Sequence, residues 1–485
     1  MNWKQTFRLL GTVQLIIASF MVIPTLLAVY FKEWLAFNSF LVTLAIILIY
    51  VTVILIVGRR WESDNLSIAN VYFFITLTYI VATTLGAIPL YLSKTTVDFA
   101  SAFMEMASGF STTGLTTLIN IEASFKSILF WRSMSNWLGG MGIIVLFVAL
   151  LPIVGQQGVQ LYTAEVVGPD KSKLTPKIKD SALVLWLTYL TLTTMETILL
   201  LIGKVGLFDA VTISLGTIST GGFAPKNNSI EYYNSAYVDI VITIFMLLGG
   251  INFALYYAII KGKFKKLFSD LELKVYLAIF FSVFLLITVT LMVQGNYNSV
   301  GTALRHASFN SASILTTTGF SNSNYNNWPY LAQGLLLILM LSGGSSGSTS
   351  GGIKVSRLVT MFKLAGQNIR TMLHPKGRFT IQRESEKIPW RAVNAITGFI
   401  ALYLTLILAS TLVVASAGYD LTTSLSSALT SVGNIGLGFG AVGPGGISFS
   451  LMPSYVKWFL SIMMLAGRLE IYTIVALFSR NFWSR

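Results

Sequence analysis

No cysteine occurs in the chain, and histidine only at His306 and His374. The first absence removes disulfide frameworks, thiolate metal sites and a thiol nucleophile. The second removes a histidine-rich metal centre and leaves little room for a Ser-His-Asp site. Charge is scarce as well: 11% of the residues are charged, against about 25% in a soluble domain. Too little charge remains to clothe a water-facing surface of this size. What the chain has instead is apolar, with 54% hydrophobic residues and a mean hydropathy of +0.72, so its solvent is mostly lipid. The net charge of +14 then reads as membrane topology rather than as a nucleic-acid footprint.

A spanning helix needs roughly 20 apolar residues. Ten segments qualify: 9–30, 38–58, 69–92, 128–153, 182–203, 236–260, 274–294, 331–361 (interrupted), 393–417 and 454–479. The first is too long for a signal-peptide core and no small-residue cleavage site follows it, so an uncleaved span is expected. The connections alternate in charge. One side holds 24 of the 33 basic residues and the other holds eight, with Arg468 left inside the membrane. That asymmetry predicts ten spans with both termini in the cytoplasm.

Four apolar segments are too short to cross: 98–110, 208–218, 301–315 and 420–431. Their length predicts re-entrant helices, and Asp98, Asp209 and Asp420 stand where Asp caps exposed amides. Each runs into a small polar stretch: Ser111-Thr112-Thr113-Gly114-Leu115, Ser219-Thr220-Gly221-Gly222-Phe223, Thr316-Thr317-Thr318-Gly319-Phe320 and Gly433-Asn434-Ile435-Gly436-Leu437. A small pair follows in the next span: Gly139-Gly140, Gly249-Gly250, Gly343-Gly344 and Ala466-Gly467. The unit of span, short helix, glycine loop and span therefore occurs four times. One such string alone reads as an ordinary turn; four at similar offsets read as a repeat.

Irregular backbone survives at membrane depth only where it lines water or is buried in protein. Four such loops meeting on one axis can offer carbonyl oxygens in place of an ion's water shell. Glycine lets those carbonyls turn inward, and the C-terminal ends of the short helices favour a cation. The loops contain no carboxylate, which a Ca²⁺ or Mg²⁺ site would want, so a monovalent cation is expected. The predicted fold is an all-α integral membrane protein of ten transmembrane helices and four re-entrant pore helices. Its four repeats stand pseudo-fourfold around one pore. The divisions are 1–62 (a helical hairpin outside the repeat), 63–165, 166–268, 269–375 and 376–485.

Several motifs carry a resemblance beyond this pattern. They are Gly109-Phe110-Ser111-Thr112-Thr113-Gly114, Phe130-Trp131-Arg132-Ser133, Trp137-Leu138-Gly139-Gly140-Met141-Gly142, Leu248-Gly249-Gly250-Ile251-Asn252-Phe253, Ser348-Thr349-Ser350-Gly351-Gly352-Ile353-Lys354 and Gly467-Arg468. Over nearly its whole length the chain resembles the Trk/Ktr/HKT superfamily of K⁺ transporters, and most of all the TrkH branch. The resemblance implies potassium uptake across the bacterial inner membrane by a channel-like, pore-forming subunit that works as a homodimer. It implies a cytosolic TrkA-like ring that binds the regulatory nucleotide, K⁺ as the transported ion and no covalently bound cofactor. The implied selectivity filter comprises Thr112, Thr113, Gly114, Thr220, Gly221, Gly222, Thr317, Thr318, Gly319, Asn434, Ile435 and Gly436. Superfamily members with Ser at the first filter glycine favour Na⁺, so Gly114 points to K⁺. Asn434 and Ile435 depart from the Thr-rich pattern, so strict rejection of Na⁺ is not implied.

Residues 342–352 are all Gly, Ser or Thr inside a span, which predicts an unwound, mobile segment facing the water-filled path. Composition supports a break. The resemblance makes it a gate formed by Gly343, Gly344, Ser345, Ser346, Gly347, Ser348, Thr349, Ser350, Gly351 and Gly352. Residues 347–354 mimic a phosphate-binding loop, but Ile353 separates Gly352 from Lys354 and no strand precedes them. Arg468 lies mid-span, where an arginine needs a cavity or a partner. It is read as a pore barrier touching the gate, with an ion pair to an acid elsewhere as the alternative. Glu196, also intramembrane, is structural or proton-linked. The basic stretch 354–391 suits anionic lipid. The competing functions are a K⁺ symporter coupled to H⁺ or Na⁺ and a membrane enzyme. All four loops entering from one side favour a pore over the inverted repeats of many transporters.

Overall fold

The computed structural model describes residues 3–57, 67–142, 178–375, 377, 380–383, 386–446 and 449–483. Arg59, Arg60, Lys171, Lys173, Lys177, Lys376, Arg378 and Arg485, the second half of the 128–153 span and the domain boundaries at 62/63 and 165/166 lie outside the described residues, while the boundary at 268/269 lies within them.

Helices α1 (Trp3–Tyr30), α2 (Trp34–Val57) and α3 (Ile68–Leu92) cross first. Then come α4 (Phe99–Phe110) and α5 (Lys126–Gly140). The second repeat comprises α6 (Ile178–Ile202), α7 (Leu207–Ile218), α8 (Ala236–Gly249) and α9 (Phe253–Ile260), and the short α10 (Phe264–Ser269) leads on from it. The third has α11 (Leu271–Val293), α12 (Val300–Leu315), α13 (Tyr330–Leu339) and α14 (Val355–Leu373). The fourth has α15 (Trp390–Ala415), α16 (Leu421–Gly433), α17 (Ser454–Arg468), α18 (Tyr472–Val475) and α19 (Arg480–Trp483). Apart from the two-residue strands Gln382–Arg383 and Glu386–Lys387, which pair antiparallel, the described residues are helix and loop.

Six helices, α1, α2, α3, α6, α11 and α15, are long and apolar enough to cross a membrane unbroken. Their outward faces expose Ile49, Ile56, Leu286 and Leu412, the apolar dress expected against lipid. The four short helices lie inside. Eleven of the twelve residues of α4 are buried, which puts a helix too short to span at the centre of the bundle. Their bounds fall within two residues of the predicted segments, and two of the three aspartates cap as expected. Asp98 accepts from the Ser101 amide at 2.7 Å and Asp420 from the Thr423 amide at 3.2 Å. Asp209 is a correction: it sits inside the first turn of α7, accepts from the Tyr233 hydroxyl at 2.8 Å and faces Lys226 at 3.9 Å.

The inner spans of the second, third and fourth repeats break, where only the third was expected to, and the described helix of the first stops short at Gly140. Helices α8 and α9 meet at 93°, and α17 meets the segment after it at 111°. Helix α5 ends at Gly140 and α13 at Leu339. The breaks fall at or beside the small pairs because those glycines pack against other backbone. A Cβ on Gly139 would overlap the Phe110 carbonyl oxygen, and one on Gly467 the Val432 carbonyl oxygen; one on Gly249 would press on the Ile218 oxygen at 3.3 Å. Phe110, Ile218 and Val432 hold the same place in their loops. Gly467, rather than Ala466, is therefore the partner of Gly139 and Gly249, and Arg468 stands where Gly140 and Gly250 stand.

The first spans α3, α6, α11 and α15 each pack on their own short helix. Three of the inner spans pack one repeat onward: α5 on α7, α8 on α12 and α17 back on α4. The last of these contacts joins the C-terminal part of the chain to α4 near its start.

Candidate functional site: the four glycine loops

The four loops share one backbone conformation. Each short helix ends at a left-handed residue, Thr112 (φ 55°), Thr220 (52°), Thr317 (57°) and Asn434 (53°). The next residue's amide returns to the helix: Thr113 to the Ser108 oxygen, Gly221 to Gly216, Thr318 to Ser313 and Ile435 to Thr430, at 2.8–2.9 Å. This is the backbone bond of a helix C-terminus that glycine usually closes. Three β-branched threonines in that conformation cost roughly 1–2 kcal/mol each. Asn tolerates it better, which gives the fourth loop's departure a local reason. Two residues on, the four loop glycines also have positive φ: Gly114 82°, Gly222 73°, Gly319 82° and Gly436 100°.

The glycines also meet in order. A Cβ on Gly114 would overlap the Gly221 carbonyl oxygen, and one on Gly222 the Thr318 oxygen. One on Gly319 would overlap the Ile435 oxygen, and one on Gly436 the Thr113 oxygen. Each glycine therefore abuts the carbonyl preceding the next loop's glycine, and the fourth closes on the first. All twelve residues predicted for the filter belong to these loops, and they are brought together.

Buried charge pairs brace the circuit. Glu105 of α4 accepts from Arg132 Nε of α5 at 2.6 Å, with both side chains at most 1% exposed. The same carboxylate accepts from the Thr117 amide (2.5 Å) and hydroxyl (2.8 Å), tying the segment after the first loop to its helix. The Arg132 guanidinium lies over the Phe223 ring of the second loop at 4.2 Å. Asp239 of α8 accepts from Arg305 of α12 at 2.6 Å and from Asn322 at 2.8 Å. Lys457 of α17 donates to Ser101 of α4 at 2.9 Å. Arg305 and Lys457 entered the sequence reading only as basic residues of one membrane face, and Arg132 as one of these and as part of the Phe130-Trp131-Arg132-Ser133 motif. Their signal was a lone charge inside an apolar segment. At the N-termini of the short helices, Asp98 is partly buried, which raises its pKa, but the Ser101 bonds and the Lys457 charge bring it below the usual carboxylate value. Hydrogen bonding to Thr423 lowers Asp420 likewise.

Residues 342–352 are unwound, as expected, but tethered and mostly buried. Gly343 donates to the Ile353 oxygen (2.8 Å), Ser345 to the Gly250 oxygen (2.8 Å), and Ser346 to Glu272 Oε1 (2.6 Å). The Thr349 hydroxyl donates to the Ile218 and Gly249 oxygens at 3.0 and 3.1 Å. The Gly351 amide donates to Thr317 Oγ1 at 2.7 Å. Lys354 is buried and bonds Ser350, 3.1 Å to its hydroxyl. The predicted mobility thus meets a segment pinned by backbone bonds to the helix breaks and loops around it.

Arg468 reaches the same place. It donates to the Thr349 oxygen at 2.7 Å and to the Gly139 and Gly140 oxygens at 2.6 and 2.7 Å. These carbonyls are the partners it was expected to need, and one belongs to the loop. No ion pair of Arg468 with an acid is found among the described residues, and the nearby Glu470 pairs with Arg357 at 2.8 Å. Glu196 is fully buried in α6.

Short buried helices, glycine loops closing on one another and lipid-facing spans define a multi-pass helical membrane protein with an internal polar site. The chain belongs to the TrkH family, described as cation transport proteins, which matches residues 36–485. It is 33% identical over 486 residues to the Trk system potassium uptake protein TrkH of Salmonella typhimurium, covering all of both chains. It is 33% identical to the Trk system potassium uptake protein TrkG of Escherichia coli K12, covering 96% of this chain and 95% of that one. The crystal structure of the potassium transporter TrkH from Vibrio parahaemolyticus superposes with a TM-score of 0.89 at 29% identity, covering all of both. The family is one of transport proteins, not enzymes.

Proposed function

We propose that this protein takes up potassium as the pore-forming, channel-like subunit of a Trk system in the bacterial inner membrane. K⁺ passes dehydrated between the four loops, held by their backbone carbonyls. The observation that carries this reading is the closed circuit in which each filter glycine abuts the carbonyl before the next. Removing an ion's water is tolerable only where oxygens replace it, and that circuit lines carbonyls up to do so. The ten-span, four-repeat division, with both termini cytoplasmic, is part of this proposal.

The 342–352 loop is the gate and Arg468 the barrier beneath the filter. Their support is the bonding of both to the glycine breaks and, through Thr349, to each other. Pairing as a homodimer and control by a TrkA-like cytosolic ring that binds nucleotide complete the proposal. The relatives named for a Trk system support a partner of this kind.

The test is Gly114→Ser in reconstituted vesicles, with K⁺ and Na⁺ fluxes compared. Relative Na⁺ passage rises, because a Cβ there displaces the Gly221 carbonyl. An unchanged ratio in folded protein refutes the filter assignment.

A further inference from the structure

The four left-handed residues pose a question that the carbonyl circuit leaves open. Glycine fits that conformation without strain, yet three of the four places hold a β-branched threonine. A side chain kept where the backbone disfavours it points to a use for the side chain.

Three of the four are touched by one short piece of the intramembrane loop. The Thr220 hydroxyl meets the Thr349 hydroxyl at 3.3 Å, and Thr317 Oγ1 accepts from the Gly351 amide at 2.7 Å. A Cβ on Gly351 would stand 2.9 Å from Asn434 Cβ. Thr349 and Gly351 are two residues apart, so Thr220, Thr317 and Asn434 converge on one spot. The fourth residue is next to it, because Asn434 Nδ2 donates to Thr113 Oγ1, beside Thr112, at 2.8 Å. The oxygens the loop does not use are left over. Thr112 Oγ1 and Asn434 Oδ1 are fully buried, and neither has a hydrogen-bond partner among the described residues. Buried polar atoms without partners are rare and call for an explanation.

We propose that the side-chain oxygens of Thr112, Thr220, Thr317 and Asn434 form an inner monovalent-cation site, and that the intramembrane loop and the cation compete for it. The inference rests on the filter reading above and adds a second tier of neutral oxygens to it. In this structure the loop takes two of the four oxygens. Arg468, bonded to the Thr349 oxygen, and Lys354, bonded to Ser350, bring positive charge to the same loop. A cation on the site is repelled by both and needs the oxygens the loop holds. Ion occupancy therefore favours the displaced loop, and an empty site favours the seated one. Potassium arriving through the filter loosens its own gate.

The absence of cysteine makes the test direct. Ser348 is 8% exposed with the loop seated, so the thiol of Ser348→Cys reacts with a maleimide mainly when the loop leaves. The full-length protein is titrated with KCl against choline chloride at constant ionic strength. Labelling is expected to speed up with KCl and saturate. Thr112→Val in the same background removes one site oxygen that the loop does not touch, and half-saturation moves up about 3- to 10-fold. Thr112→Ser keeps the hydroxyl and restores the parent curve. Thr112→Ala serves if valine prevents folding. Labelling indifferent to KCl, or a titration that Thr112→Val and Thr112→Ala leave in place, overturns the inference. If Gly114→Ser still changes selectivity in that case, only the inner site fails; if it does not, the filter reading fails with it.

Discussion

Replacing Arg468 by Ala tests the gate where its bonds are best defined. The guanidinium makes one bond to the loop, to the Thr349 oxygen at 2.7 Å, and two to the α5 break. Only the first distinguishes a seated loop from a displaced one. A hydrogen bond from a charged donor contributes about 1.5–3 kcal/mol. Losing it shifts the loop equilibrium about 10- to 150-fold toward displacement, at about 1.4 kcal/mol per tenfold. Removal of the positive charge beneath the filter adds in the same direction. Rubidium uptake into vesicles holding purified protein is therefore expected to rise at least about tenfold. Arg468→Lys separates the two contributions. It keeps a charge but has no planar fork to bridge three carbonyls, so its flux falls between the parent and Arg468→Ala. Uptake equal to or below the parent's, with an unchanged elution profile and thermal midpoint, refutes the gate and barrier assignments together.

The brace behind the first loop makes a stability prediction. Glu105→Gln leaves Arg132 buried without its counter-charge, which costs about 3–5 kcal/mol. The thermal midpoint in detergent drops clearly, and a midpoint within error of the parent contradicts the brace. The two capping aspartates predict an acid response. Their pKa values are lowered in the fold, so their stabilisation is complete above the unfolded value of about 3.9 and is lost as pH falls through the lower folded values. Asp98→Asn with Asp420→Asn should flatten thermal stability measured below about pH 4. An acid response as steep as the parent's assigns the effect to other groups.

The short helices were legible because two independent signals coincided: a length too small to span and an abrupt change to Thr, Ser and Gly. The four glycines of the loop circuit were legible for the same reason, since only a repeat of those strings brings one glycine back at the fourth place. The breaks at Gly139, Gly249 and Gly467 were not legible, because a glycine pair in an apolar run reads as a helix-packing device. What makes it a break is the approach of Phe110, Ile218 and Val432 from a distant part of the chain. Register suffered likewise, and Ala466 was paired with Gly139 where contact selects Gly467. The Glu105–Arg132 and Asp239–Arg305 pairs join helices whose mutual placement no single segment encodes. Arg468 was found from its isolation in an apolar span, but its three carbonyl partners come from two other repeats.

The central claim is tested most directly by the reversal potential of currents through purified protein in a planar bilayer, with K⁺ on one side and Na⁺ on the other. The account predicts a current that reverses toward the K⁺ equilibrium potential and does not follow an imposed proton gradient. No current at all, or a reversal that tracks H⁺ or Na⁺, contradicts a potassium passage ringed by Gly114, Gly222, Gly319 and Gly436.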